Sequence, residues 1–267
     1  MKVCVIKNEY YQKKIGYLLY FDKNETFYIE LLENVDKKGM PLIMRHFYEM
    51  GIKSVDAYWS KKWVEERIIP KERQNISSII KDNNLKKYDE YKLLLLGRGR
   101  CSQDECCVEE INVNELPNEI KERFKFRLQD CLDIGEELML IFQNGEVKKI
   151  NIQNLKEIND KMSKIINNKD LFLEMEITPG GYAIEFIGNI ILNSEDLYQK
   201  SKKVNINFND IKKYISEKVV NTIEAAEIMN CSRQNINDLV KRKKVIPLKK
   251  TLKGQLFLKN ELEEKMW

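Results

Sequence analysis

The chain has 267 residues, 43% of them hydrophobic and 33% charged, and carries a formal net charge of +4. That length fits two or three domains of about 100 residues each, with enough apolar content for real cores, so global disorder is excluded. No stretch approaches ~18 uninterrupted apolar residues and the first ten lack a signal-peptide pattern, so no membrane partner is expected and a cytoplasmic protein is.

The expected fold class is α+β multidomain: two small α+β domains followed by a C-terminal winged helix-turn-helix. The first domain, residues 1–113, opens with strand-like runs at Lys2–Ile6, Ile15–Phe21 and Thr26–Leu31. Asp22-Lys23-Asn24-Glu25 joins the last two as a hairpin loop. A helix follows with Pro41 at its first position and Gly51 at its end. Ser54 is the expected cap of the next helix, Val55–Arg67, in which Ala57, Trp59, Trp63 and Val64 repeat at helical spacing. Beyond Pro70, further helices run through Ile76, Ile79 and Ile80 and through Tyr91–Leu96, and Cys106–Ile111 reads as a strand.

The second domain, residues 122–200, reads as strands around one helix. Glu137–Phe142 and Glu146–Ile152 flank Asn144-Gly145, the strongest short-range hairpin signal. Leu155, Ile158, Met162 and Ile165 give Asn154–Ile166 a helical period. Strands are expected at Leu171–Ile177, Tyr182–Ile187 and Ile190–Leu192, with a Pro179-Gly180-Gly181 turn between the first two. Ser194 is the expected cap of a final helix, and the polar stretch Lys200–Ile215 reads as a linker with some helix.

The third domain, residues 218–267, holds the positive balance. It carries eleven Lys or Arg against six Asp or Glu, whereas the other 217 residues carry 35 against 36. Such asymmetry marks a local polyanion site. Thr222 is the expected cap of a short helix, Ile223–Met229, whose small Ala225 and Ala226 let a second helix cross closely. Asn230 sits at the turn, where Asn tolerates positive φ. Ser232 then caps Arg233–Arg242, with Ile236, Leu239 and Val240 on its apolar face. Arg233, Gln234 and Asn237 project elsewhere and have the right chemistry for base edges in a major groove. A hairpin follows, Leu248–Leu252 and Gln255–Leu258 around Lys253-Gly254. Ser232, Lys241, Lys244, Lys249, Lys250 and Lys253 are the candidate phosphate contacts. A last helix, Asn260–Trp267, would return Leu262 and Met266 to the bundle.

The stretch TIEAAEIMNCSRQNINDLVKRKKVIPLKKTLKGQLFLKNELEEK resembles the excisionase-type, MerR-related winged helix-turn-helix. That resemblance implies double-stranded DNA as partner, read by the second helix and the wing. One departure stands out: such families often carry Gly after the second helix, where this chain has Lys243-Lys244. LMLIFQNGEVKKINI and EMEITPGGYAIEFIGNIILNSEDLYQKS resemble DUF2442, a small bacterial α+β domain of unknown function, which implies no catalytic residues. RIIPKERQNISSIIKDNNLKKYDEYKLLLLGRGRCSQD, after the opening hairpin, resembles the N-terminal subdomain of HipA-type toxin kinases. That implies a protein-binding module in a toxin–antitoxin setting, without the kinase parts.

Catalysis and cofactors are not expected. The chain has one histidine, His46, and none of the zinc-protease, nucleophile-elbow or phosphate-loop motifs. The six cysteines show no paired metal spacing, and the CSQDECC segment reads better as reduced thiols than as a metal or redox site. Glu65-Glu66 and Glu109-Glu110 are sequence neighbours and so do not face one another. Arg98 and Arg100, beside Gly97 and Gly99, read as a solvated turn rather than an anion site. The expected function is a DNA-binding transcriptional regulator, antitoxin-like, with a protein partner on residues 1–200 and a homodimer on two-fold DNA. The alternative is a protein inhibitor of a toxin or of a CRISPR-type nuclease, in which the helix-turn-helix only autoregulates or assists binding.

Overall fold

The computed structural model describes residues 1–251 and 254–265. The fold is mixed α+β, with four antiparallel sheets among the described residues. The chain divides into two compact units, Met1–Arg123 and Phe124–Trp267. Among the described residues, no helix is long and apolar enough to cross a membrane.

In the first unit, β1 (Lys2–Asn8), β2 (Lys13–Phe21) and β3 (Thr26–Leu31) form a meander. The β2–β3 hairpin closes at Phe21↔Thr26, with Glu25 at φ 49 in its loop. Next come α1 (Leu42–Glu49), β4 (Ser54–Val55), α2 (Ala57–Glu65), α3 (Ile76–Asp82), α4 (Glu90–Leu96), β5 (Cys106–Ile111) and α5 (Asn118–Phe124). The sheet order is β4-β3-β2-β1-β5. One core joins Ile6, Leu18, Phe27 and Ile29 of the sheet to Met44, Trp63, Val64 and Leu94 of the helices. Two expectations need correction here. Pro41 is the N-cap of α1 rather than its first residue. Ser54 lies in β4 and donates to Glu30 Oε2 at 2.9 Å, so it caps nothing. Asp56 caps α2 instead, accepting from Trp59 N–H at 2.9 Å, because a carboxylate two residues later meets the first free helix N–H groups.

The second unit begins with β6 (Leu128–Asp133), β7 (Glu137–Phe142) and β8 (Val147–Asn151). Gly145, at φ 80, makes the β7–β8 turn. The expected helix over 154–166 is two 3-10 segments, 152–157 and 160–164. Asn159 interrupts it in extended conformation, its side chain accepting from Lys161 N–H and donating to Ile191 O. Asparagine competes with the helix backbone in this way, yet Leu155, Met162 and Ile165 are buried as their spacing requires. Leu171–Ile177 is likewise not one strand. Asn168 caps α6 (Lys169–Leu173), and only β9 (Glu176–Ile177) is extended.

β10 (Ala183–Phe186) and β11 (Ile190–Asn193) complete a three-stranded sheet of order β11-β10-β9. Gly181 makes the closest approach in this region. It sits at φ +74, and a Cβ there would lie 2.0 Å from the Leu128 carbonyl oxygen. α7 (Ser194–Lys200) has Asn193 rather than Ser194 at its N-cap, with no side-chain cap bond. β12 (Lys202–Lys203) then adds to β8, for the order β12-β8-β7-β6.

The stretch read as a linker ends in a well-anchored helix, α8 (Phe208–Lys218). Its Asp210 takes an ion pair from Lys149 of β8 at 2.6 Å, with both side chains buried. Lys218 and Tyr214 both reach Asp130 of β6, at 2.8 and 3.2 Å. β13 (Val219–Asn221), α9 (Thr222–Ile228), α10 (Arg233–Lys241), β14 (Lys249–Thr251), β15 (Gly254–Leu258) and α11 (Lys259–Glu264) follow. Their own core gathers Ala225, Ile236, Leu239, Val245, Phe257 and Leu262. Of the two residues expected to close that bundle, Leu262 is fully buried, and Met266 lies outside the described residues.

Candidate nucleic-acid interface

α9 starts one residue earlier than Thr222 would place it. Asn221 is the N-cap, accepting from Ile223 and Glu224 N–H groups, while Glu224 accepts from Asn221 N–H at 2.7 Å. This reciprocal box uses up the Glu224 carboxylate. Thr222 is thereby freed to tie in the neighbouring hairpin: its hydroxyl bridges the Gln255 N–H and carbonyl at 3.3 and 3.4 Å. The chain then turns at Asn230, φ 46, and Cys231 N–H closes the turn on the Ala226 carbonyl. Ser232 caps α10 by accepting from Asn235 N–H at 3.1 Å.

At about 100° per residue, Ile236, Leu239 and Val240 share one side of α10, and all three are buried. Arg233, Gln234, Asn237 and Lys241 fall within about 100° of arc on another side, and all four are exposed. The hairpin lies beside this stripe, because Gln255 of β15 donates its side-chain amide to Asn237 Oδ1 at 3.0 Å. That bond takes one of the two lone pairs of the Asn237 oxygen and leaves its N–H donors and the other lone pair for a base edge.

The lysines vary in their engagement. Lys249 and Lys250 are exposed on β14, opposite Leu256 and Gln255. Among the described residues, Lys241 makes only a long, solvent-exposed pair with Asp238 at 3.4 Å, which is worth little. Lys244 is exposed and engaged in an interaction of its own. Lys253 lies outside the described residues.

The missing glycine after α10 has a structural outcome. Lys243 takes φ +58 and donates its N–H to Val240 O, while Lys244 N–H reaches Leu239 O. That is the Schellman ending usually built on glycine, here made by lysine at a cost in strain. The signal for it was Lys243-Lys244 standing where a helix commonly ends on glycine. The Gln255–Asn237 and Thr222–Gln255 bonds had none.

The other candidates are occupied elsewhere. Arg100 pairs with Glu9 at 2.6 Å and Arg98 with Glu109 at 3.3 Å. Glu109 also pairs with Lys7, and Glu110 accepts from Tyr91 at 2.8 Å. All six cysteines are free thiols. Burial pushes Cys4 up to about 11 and, with Asp104 beside it, Cys106 up to about 12, so neither is a ready nucleophile. No protein-family model matches the chain, and no curated protein or solved structure matches it either.

Proposed function

We propose that residues 218–267 are an excisionase/MerR-type winged helix-turn-helix and that the chain is a DNA-binding regulator rather than an enzyme. The observation that carries this reading is the exposed stripe Arg233, Gln234, Asn237 and Lys241 on α10, bonded through Asn237 to a lysine-bearing hairpin. A helix of that kind enters the major groove by its N-terminal residues, while the flanking lysines meet phosphates. In the full layout, α+β domains at 1–113 and 122–200 precede the reading head, and residues 1–200 receive a protein partner. Pairing of two chains on a two-fold site would supply the affinity that one small head lacks.

Variants of the full chain test the division of roles. Arg233→Ala is expected to relax base preference by about 1–3 kcal/mol, seen as a narrowed gap between preferred and random duplexes. Lys250→Ala is expected to weaken all duplexes alike and to lower the salt slope by about 0.9. Equal losses on every duplex for both variants would contradict the assignment.

A further inference from the structure

The second unit contains a cavity of about 550 Å³, walled by the β6–β7 turn, the start of the first 3-10 segment, α6 and α8. That volume suits a small organic ligand. Part of its lining is apolar, from Ile152, Ile166 and Phe172. One charged group is sunk into the wall, Asp133, only 6% exposed. Its Oδ1 accepts from Gly135 N–H at 2.8 Å.

Asp133 differs from the other buried aspartates of this unit. Asp130 holds Lys218 and Asp210 holds Lys149, whereas no lysine or arginine pairs with Asp133 among the described residues. A buried carboxylate without a cation is costly, and this one lines an open cavity. Lys169 and Lys213 line the same cavity, together with Glu136. Lys169 is exposed, and among the described residues Lys213 has only a long pair with Glu217 at 3.9 Å. The cavity therefore offers a sunken carboxylate at Asp133, an exposed one at Glu136, two accessible ammonium groups and a partly apolar lining.

We propose that this cavity binds a small zwitterion with an apolar body, of which an apolar α-amino acid is the simplest member. The ligand's ammonium would meet Asp133, its carboxylate Lys169 and Lys213, and its side chain Phe172. The two lysines oppose a ligand that is only cationic, and Asp133 opposes one that is only anionic.

Calorimetric titration of the full chain with L-phenylalanine and L-leucine tests this, with 2-phenylethylamine and 3-phenylpropanoate as single-charge analogues. Saturable binding of at least one amino acid is expected below about 10 mM. Each analogue is expected to bind at least ~10-fold more weakly than phenylalanine if phenylalanine binds, since each lacks one charge-assisted hydrogen bond. Asp133→Asn retains an oxygen for Gly135 N–H and should weaken binding at least ~10-fold; Lys213→Gln should weaken it several-fold. No saturation by either amino acid at about 10 mM would overturn the proposal, as would analogues that bind as well as phenylalanine. The analogue series on the unaltered chain decides the matter if a variant fails to fold.

Discussion

Lys149→Met probes how firmly α8 belongs to the second unit. The Lys149 ammonium lies 2.6 Å from Asp210 Oδ2, with side-chain exposures of 6% and 7%. Removing one partner of a buried pair costs about 3–5 kcal/mol, because it leaves the other charge stranded. Here Asp210 would keep the Asn207 N–H at 3.0 Å, which offsets about 1 kcal/mol. The expected loss is therefore about 2–4 kcal/mol, read as a lowered midpoint in urea unfolding of the full chain by circular dichroism.

The pH dependence follows from the same pair. Burial pushes the Asp210 carboxyl up, but its bonds from Lys149 and Asn207 outweigh this and hold it below the ordinary value of 3.8. A lowered folded pKa gives stability that is present above the unfolded value and lost as pH falls through the folded one. The gap between unaltered chain and variant should thus be full at about pH 7 and shrink as pH falls, first as the stranded Asp210 of the variant protonates and then, below about pH 4, as the unaltered chain loses its pair. A loss under about 0.5 kcal/mol, the scale of an ordinary surface substitution, or a gap indifferent to pH, would refute the reasoning.

Two further changes address backbone strain. Lys243→Gly should relieve about 1–2 kcal/mol of left-handed strain and cost about 0.5–1 kcal/mol in chain entropy, for a net gain of about 0–1.5 kcal/mol in the melting transition; a net loss would contradict the Schellman assignment. Gly181→Ala adds a methyl 2.0 Å from the Leu128 carbonyl oxygen at φ +74. It should cost about 3–5 kcal/mol, and a neutral result in the same unfolding assay would show that β6 and the Gly181 turn are less closely apposed.

What the sequence made legible is mostly local. The hairpins at 22–25 and at Asn144-Gly145 depend on turn residues and their strand neighbours, and both form. Burial was legible even where conformation was not. Leu155, Met162 and Ile165 reach the core, while Asn159 breaks their helix into 3-10 pieces. Caps were misplaced by one or two residues at Ser54 and Asp56 and at Asn221 and Thr222, where two capping residues stood close together, whereas Ser232 was placed correctly.

The stretch Lys200–Ile215 was read as a linker with some helix, and what that reading missed is the anchoring of α8, whose inward contacts are polar. Asp210 and Lys218 are satisfied by Lys149 and Asp130, 61 and 88 residues away, whereas Phe208, Ile211 and Ile215 remain exposed. Phe208, Ile211 and Ile215 recur at the helical i, i+3, i+7 spacing, but that apolar side is not the one that docks, so periodicity points to a helix and to the wrong face. In the candidate interface, the spacing of Arg233, Gln234, Asn237 and Lys241 already placed them on one face. The Gln255 contact that engages one acceptor site of Asn237 joins two elements and had no sequence signal.

The most direct measurement is fluorescence anisotropy of the full chain on duplex DNA, comparing random duplexes with the DNA upstream of its own gene across ~50 to ~200 mM salt. With four or five lysines on phosphates, the logarithmic salt slope should be about −4, an affinity loss of about 150–500-fold over that range, with the upstream duplex preferred. No binding at ~50 mM salt, where phosphate contacts are strongest, would contradict the account.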